Sequence, residues 1–167
     1  MKERTDATIK MANVTKDGAT EVSSYMTAIW NNFDTTGKKL EYFGDVVTAL
    51  GAKTASSSSE IAGGLEKFAA VADTIGLSYE YAAASLATIV AKTRQSEDVV
   101  GTALKTIFSR MEGLKLGKSL EDGTDLNKYS AALASVGVNI KEANGELKTM
   151  DEILDATGEK WRTLTND

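Results

Sequence analysis

The chain has 167 residues and a formal net charge of −5, and 42% of its residues are hydrophobic but only 7% aromatic. This length allows a sizeable core, and apolar residues that are mainly Ala, Leu, Val and Ile favour closely packed helices. The absence of His and Cys excludes disulfides, Cys/His zinc sites and His-activated nucleophiles, and no dense Lys/Arg cluster is present to bind nucleic acid.

The N-terminal third shows apolar residues at spacings of three and four, which predict short amphipathic helices. Residues 5–13 carry only a weak form of this pattern. A clear helix is predicted from Asp17 to Asn31 or Asn32, and a DTTG turn follows it. The pattern returns from Leu40 and ends at Gly51, where a residue able to adopt positive φ can close a helix.

A second set of helices follows the serine run of residues 56–59, which we interpret as a loop with an N-cap rather than a flexible linker. The next helix has the clearest apolar stripe of the chain and is predicted to end at Gly76. Ser78 then caps an Ala-rich helix. The residues predicted to face inward from these two helices are Ile61, Leu65, Phe68, Ala72, Ile75, Ala82, Leu86, Ile89 and Val90.

Ser96, followed by two acidic residues, predicts the start of a further helix that extends to about Glu112. Its predicted buried stripe comprises Val99, Val100, Ala103, Leu104, Ile107, Phe108 and Met111. A shorter helix is predicted from Leu126 to Ser135, with Gly137 closing it.

The C-terminal segment predicts a small β flap near residues 138–149. Residues 138–140 alternate as a strand would, Asn144 and Gly145 form a tight turn, and residues 147–149 return. Thr149 and Glu152 fit a capping box that opens a last helix.

The predicted fold class of the whole chain is therefore all-α, a bundle of short amphipathic helices with one two-stranded flap. We expect N-terminal helices over residues 1–55, continuing an upstream element, and a helical module with the flap over residues 56–167.

Three motifs suggest chemistry but do not satisfy its requirements. Residues 113–119 read GLKLGKS, which lacks the glycine spacing and the preceding strand of a phosphate-binding loop. Glu121, Asp122, Asp125 and Asn127 miss the ligand spacing of a calcium loop. The acidic pairs at residues 97–98 and 151–152 are explained by the positive ends of helices. We therefore assign no catalytic, cofactor-binding or metal-binding residue and expect no enzymatic activity.

The ordered series from residue 96 to residue 154 resembles the core of phage tail tape measure proteins. The likeness is carried by a G-T-A-L-x-x-x-F-x-R-like pattern in the first helix and by the turn and helix start that follow the flap. Glu142 and Thr149 depart from the family pattern and affect only the expected geometry of the flap. The family-motif residues, which we expect to be structural, are Gly101, Thr102, Ala103, Leu104, Phe108, Arg110, Gly137, Asn144, Gly145, Leu147, Ile153 and Leu154.

This resemblance implies a structural tail protein that sets tail length while the tube assembles and leaves with the DNA. The partners it implies are the tail tube protein and tail assembly chaperones. Exposed apolar stripes suggest a homo-oligomer as well. The implied location is the tail tube lumen of the virion, and the host cytoplasm during assembly. Family members run on for hundreds of residues, so we expect a fragment or truncated copy.

The sequence is also compatible with other functions. An adaptor-type helical bundle unrelated to tails would produce the same stripes and caps, because a fold does not specify a function. A cell-wall hydrolase module is disfavoured by the lack of His, Cys and a convincing carboxylate pair. Transient membrane contact during ejection would involve residues 81–91, which are too few to span a bilayer and are better explained as a buried helix.

Overall fold

The computed structural model describes residues 2–33, 37–115 and 127–164. These residues form eight helices, and they confirm the prediction of an all-α chain. The weakly patterned N-terminal segment is a regular helix. The helices are α1 (Lys2–Thr15), α2 (Ala19–Phe33), α3 (Leu40–Lys53), α4 (Ser58–Thr74), α5 (Tyr79–Thr93), α6 (Glu97–Lys115), α7 (Asn127–Ser135) and α8 (Met150–Leu164).

Residue contacts divide the chain into two compact units. Unit 1 comprises Met1–Asp73 and Ser78–Thr106, and unit 2 comprises Thr74–Leu77 and Ile107–Asp167. The division falls within α6. A compact unit need not fold independently of the rest of the chain. The domain boundary that we predict near residue 55 therefore stays a prediction.

The core of unit 1 is built where α1 packs on α2 and α3, and where α3 also packs on α2 and α5. Trp30 is buried here, and its indole N–H donates to the carbonyl oxygen of Leu40 at 3.1 Å. Tyr79 is also buried, and its hydroxyl donates to the carbonyl oxygen of Phe43 at 2.5 Å. The polar group of each of these two buried aromatic side chains therefore has a hydrogen-bond partner, and each bond links two helices.

The prediction that Gly51 ends α3 is wrong, because the helix continues to Lys53. A Cβ atom at Gly51 would lie 2.5 Å from the Ser58 hydroxyl oxygen and 2.8 Å from the Ser58 backbone nitrogen. The glycine therefore permits the start of α4 to approach α3 closely. Its conformational freedom is not used for a helix end.

The prediction of a loop with an N-cap over the serine run of residues 56–59 holds for Ser56 and Ser57 only, because Ser58 and Ser59 are the first residues of α4. The Ser57 hydroxyl accepts from the Glu60 amide at 3.1 Å, and the Glu60 carboxylate accepts from the Ser57 amide at 2.6 Å. Ser56 is buried, and its hydroxyl donates to the carbonyl oxygen of Ala87 at 2.9 Å. This bond fixes the loop to α5.

The α4 stripe is buried as predicted, and Gly76 closes that segment with φ +73°. In α6, however, only part of the predicted stripe is buried. Val100, Leu104 and Phe108 are buried, whereas Val99 and Ile107 are 55% and 48% exposed. The apolar face of α6 is wider than the part that the rest of the described chain covers.

The predicted two-stranded β flap is wrong: the described residues contain no strand. The turn at Asn144 and Gly145 is present, and a single antiparallel bridge joins Lys141 to Leu147. Only three residues are available on the returning side, and an isolated pair of strands is marginal in water. The segment is therefore a turn closed by one bridge.

Candidate interaction groove

The family-motif residues of α6 divide into a buried and an exposed set. Gly101, Leu104 and Phe108 are buried, whereas the side chains of Thr102, Ala103 and Arg110 are exposed. A Cβ atom on Gly101 would lie 2.6 Å from the carbonyl oxygen of Gly64 in α4. The buried set positions α6 within the fold, and the exposed set lies at the surface.

Gly137 ends α7 in the manner that the sequence predicted. Its φ is +83°, its amide donates to the Ala134 carbonyl at 2.9 Å, and the Val138 amide donates to the Leu133 carbonyl at 2.8 Å. These two bonds form a Schellman motif, which satisfies carbonyl groups left over at the helix end. Leu126, where we predicted the start of α7, lies outside the described residues.

Asn144 and Gly145 form the turn that precedes α8. The Asn144 side-chain oxygen accepts from the Glu146 amide at 3.0 Å, and Gly145, with φ +87°, donates its amide to the Glu142 carbonyl at 3.0 Å. Leu147 is half-buried at the single bridge. This turn directs the chain into the N-terminus of α8.

The capping box predicted at the start of α8 is present. The Thr149 hydroxyl accepts from the Glu152 amide at 3.3 Å, and the Glu152 carboxylate accepts from the Thr149 amide at 2.8 Å. The backbone amide and then the hydroxyl of Thr149 hold the pKa of Glu152 below its ordinary value. Beyond this cap Ile153 is buried and Leu154 is half-buried. The first half of α8 is therefore anchored in unit 2.

An apolar groove lies within unit 2, between the end of α6, one face of α7 and the second half of α8. We call it the unit 2 groove; its volume is about 470 Å³. Three large apolar side chains in its lining are strongly exposed: Trp161 at 67%, Ile107 at 48% and Tyr129 at 45%. The lining residues are Ile107, Arg110, Met111, Tyr129, Ala132, Leu133, Val136, Val138, Thr157, Lys160 and Trp161.

The α7 residues in this lining follow the spacing of a helical apolar face. Tyr129, Ala132, Leu133 and Val136 stand at positions i, i+3, i+4 and i+7, which is the pattern that normally faces a core. Here Tyr129 and Ala132 are exposed and the other two are half-buried. The described part of unit 2 therefore covers this face of α7 incompletely.

The charged members of the lining are cationic. Arg110 and Lys160 both line the groove, and the described residues provide no hydrogen bond or ion pair to either side-chain cation. A Cβ atom on Gly137 would lie 3.7 Å from the Lys160 Nζ atom, so this ammonium is close to the C-terminal end of α7. The negative end of the helix dipole favours a cation there.

Some residues of the groove are identifiable from the sequence, but the groove itself is not. Arg110 is one of the family-motif residues, whereas Trp161 is not among them. Met111 and Ile107 were predicted to be buried, but Ile107 is exposed. The helical spacing of the α7 stripe was a detectable signal, although spacing does not reveal whether a stripe is covered.

Within 2–33, 37–115 and 127–164, no group of three acidic side chains is placed to hold a metal ion. In the same ranges, no helix is both long enough and apolar enough to cross a bilayer. The GLKLGKS sequence lies partly outside the described residues, as does the acidic group that begins at Glu121.

A family model described as phage-related minor tail protein matches residues 1–167. No solved structure matches the chain.

Proposed function

The chain belongs to the family of phage-related minor tail proteins, and from this premise we propose that it is a segment of a tail tape measure protein. Membership of that family gives it a structural role in the phage tail and associates it with the virion. The proposal goes further: this segment belongs to the protein that sets tail length and leaves with the DNA.

The observation that carries the proposal is the family match over the whole chain, taken with the motif in α6. Gly101, Leu104 and Phe108 of that motif are buried, so part of the likeness lies in residues that shape the fold. The match also favours a tail protein over the adaptor unrelated to tails that the sequence had left open. A structural role agrees with the presence of an apolar groove in unit 2.

The dimensions favour a folded module within the tape measure over the measuring part itself. If all 167 residues formed one straight helix, they would span only ~250 Å at 1.5 Å per residue. The longest described helix, α6, has 19 residues, and unit 1 folds several helices onto one another. We infer that the length-determining part lies in other residues of a longer protein, and that this module serves initiation, chaperone contact or passage into the host.

The partners in this proposal are the tail tube protein, the tail assembly chaperones and further copies of the chain. In this proposal the chain is located in the tail tube lumen of the virion and, during assembly, in the host cytoplasm. The chain acts by occupying space and binding proteins, without catalysis. Transient membrane contact during ejection belongs to the same proposal and would require α5 to leave its buried position.

The decisive experiment follows the chain through DNA ejection. In a phage that encodes this chain, tails would be purified before and after ejection is triggered, and peptides from α4 and α6 would be quantified by mass spectrometry. We expect the peptides in intact tails and their loss after ejection, while peptides of the tube protein remain. Retention of the chain in emptied tails would contradict the tape measure assignment and indicate a fixed tail component.

A second measurement separates the module from the measuring part. The coding segment for this chain would be deleted in frame, and tail lengths would be measured by electron microscopy. A measuring segment would shorten tails by up to ~250 Å, in proportion to the residues removed. For a folded module, we expect either failure to initiate tails or tails of unchanged length.

A further inference from the structure

We propose that the unit 2 groove binds an amphipathic helix of a partner protein, and that this helix carries carboxylates beside its apolar stripe. The inference depends on the proposed function only in that the chain acts by binding other proteins. It adds the site, the shape of the bound element and the sign of its charge.

The shape of the occupant follows from the walls of the groove. Apolar residues of α7 stand at helical spacing along one wall, Ile107 and Met111 extend from α6, and Trp161 extends from α8. Three helices present apolar faces to the unit 2 groove, and a fourth helix lying in the groove would bury those faces, as in a four-helix bundle. Amphipathic helices bind such troughs through apolar anchors at positions i, i+3, i+4 and i+7.

The composition of the lining argues against a small-molecule site. Such sites fix a ligand with several accurately placed polar groups among apolar side chains. In this groove, the polar side chains are Arg110, Lys160, Thr157 and the hydroxyl of Tyr129, and most of the surface is aliphatic or aromatic. An apolar anchor from a helix needs only this kind of surface.

The sign of the partner's charge follows from the two cations. The chain as a whole has a net charge of −5, but the charged side chains that line the groove are both cations, Arg110 and Lys160, and no Asp or Glu is part of the lining. Neither cation has an ion pair with a described residue, which is also true of most other lysines and arginines of the chain. Carboxylates on the flanks of a bound helix would pair with them, whereas lysines there would be repelled.

The test uses designed peptides and the whole 167-residue chain. The first peptide is an 18-residue amphipathic helix with leucines at the four anchor positions and glutamates on the flanks. The second has lysines in place of the glutamates, and the third has the first peptide's composition with the leucines shuffled. Binding is measured by the emission of Trp161, because Trp30 is buried and provides a constant background.

We expect the glutamate peptide to bind and shift the tryptophan emission to shorter wavelength. The lysine peptide should bind about tenfold more weakly, since it exchanges two weak attractions for two weak repulsions. The shuffled peptide should not bind measurably. The difference between the glutamate and lysine peptides should shrink at high salt, because exposed charges are screened.

Charge-reversal variants give the sharper result. In Arg110→Glu/Lys160→Glu, the preference should invert, so that the lysine peptide binds more tightly than the glutamate peptide. The matched control is Lys105→Glu/Lys141→Glu, which changes the net charge equally at two exposed lysines outside the groove lining. That control should retain the original preference. All four substituted residues are exposed, and circular dichroism verifies that each variant remains folded.

Four outcomes would overturn the inference. Equal binding of the glutamate and lysine peptides would remove the charge argument, and binding of the shuffled peptide would show non-specific adhesion. Absence of binding by any peptide would remove the groove as a helix site. A dimer in light scattering that the groove variants abolish would assign the groove to a second copy of the chain. None of these results depends on ejection from tails, so this inference can fail while the tape measure assignment stands.

Discussion

Gly101 in α6 lies so close to Gly64 in α4 that a Cβ atom on Gly101 would sit 2.6 Å from the Gly64 carbonyl oxygen. The same added atom would lie 3.1 Å from Cβ and Cγ of Lys67. A carbonyl oxygen within a helix cannot move aside as the end of a flexible side chain can. The two helices therefore cross at a distance that requires glycine, which explains why a residue unfavourable in helices stands inside α6.

The first prediction is that Gly101→Ala destabilises unit 1. The substitution gains about 1 kcal/mol of helix propensity, but forcing the helices apart costs about 1–3 kcal/mol, so we expect a net loss of up to 2 kcal/mol. Urea denaturation followed by circular dichroism measures the change in unfolding free energy.

The matched control for this prediction is Gly63→Ala, one residue from Gly64 in α4. Its Cβ atom would lie 3.7 Å from Cγ of Glu97, which is ordinary contact, so this variant should be neutral or more stable. If both glycine variants gain stability equally, the close crossing of α4 and α6 is not what Gly101 provides.

The glycines show which part of the fold could be predicted from sequence. Gly76 and Gly137 end helices with positive φ, as expected from their positions after apolar stripes. Gly51 stands after a similar stripe, but it lies inside α3 because Ser58 approaches it from α4. A local pattern can suggest that glycine is needed, whereas the reason depends on residues that are distant in sequence.

The α6 stripe shows a similar limit for the candidate site. Its spacing predicts which residues share a face, and Val100, Leu104 and Phe108 are buried as expected. The same spacing also predicted burial of Ile107, which instead is exposed at the unit 2 groove. Periodicity defines the direction of a face, but the area that neighbouring helices cover is a property of the assembled fold.

The second prediction concerns the two tryptophans. Trp30 is 2% exposed and donates to Leu40, whereas Trp161 is 67% exposed. Trp30→Ala should therefore cost about 3–5 kcal/mol of unfolding free energy, as large-to-small substitutions in cores do. Trp161→Ala should cost less than about 1 kcal/mol, because most of that side chain is already in water. Thermal denaturation of the two variants gives the comparison, and similar losses would mean that Trp161 is a core residue.

The third prediction is an acid dependence at the start of α8. Hydrogen bonds from Thr149 lower the pKa of Glu152, so the folded state holds this carboxylate ionised more strongly than the unfolded state does. Its contribution to stability is therefore present above the unfolded pKa and is lost as the pH falls through the folded pKa. A pH titration followed by nuclear magnetic resonance of the Thr149 amide should show a midpoint below 4.5, the ordinary value for this carboxyl.

Glu152→Gln provides the control for this titration, because the amide oxygen can still accept from Thr149 but has no proton to gain. The acid transition of the Thr149 resonance should disappear in this variant. A transition that persists unchanged would have to come from another carboxyl group.

The last prediction is an alkaline loss of stability at Tyr79. Burial first, and then the nearby charge of Glu80, raise the pKa of the Tyr79 hydroxyl well above its ordinary value of 10.0. The unfolded chain therefore loses this proton at a lower pH than the folded chain, so the contribution of Tyr79 is complete below pH 10.0 and declines above it. The decline in unfolding free energy should approach about 1.4 kcal/mol per pH unit for this one group.

The Tyr79→Phe variant tests this assignment. Its unfolding free energy at pH 8 should be about 1 kcal/mol lower because the Phe43 carbonyl loses its donor, but the dependence of that free energy on pH above pH 10 should be flatter. Urea denaturation at a series of pH values measures both effects, and parallel curves for the two proteins would show that Tyr79 ionises as readily when folded as when unfolded.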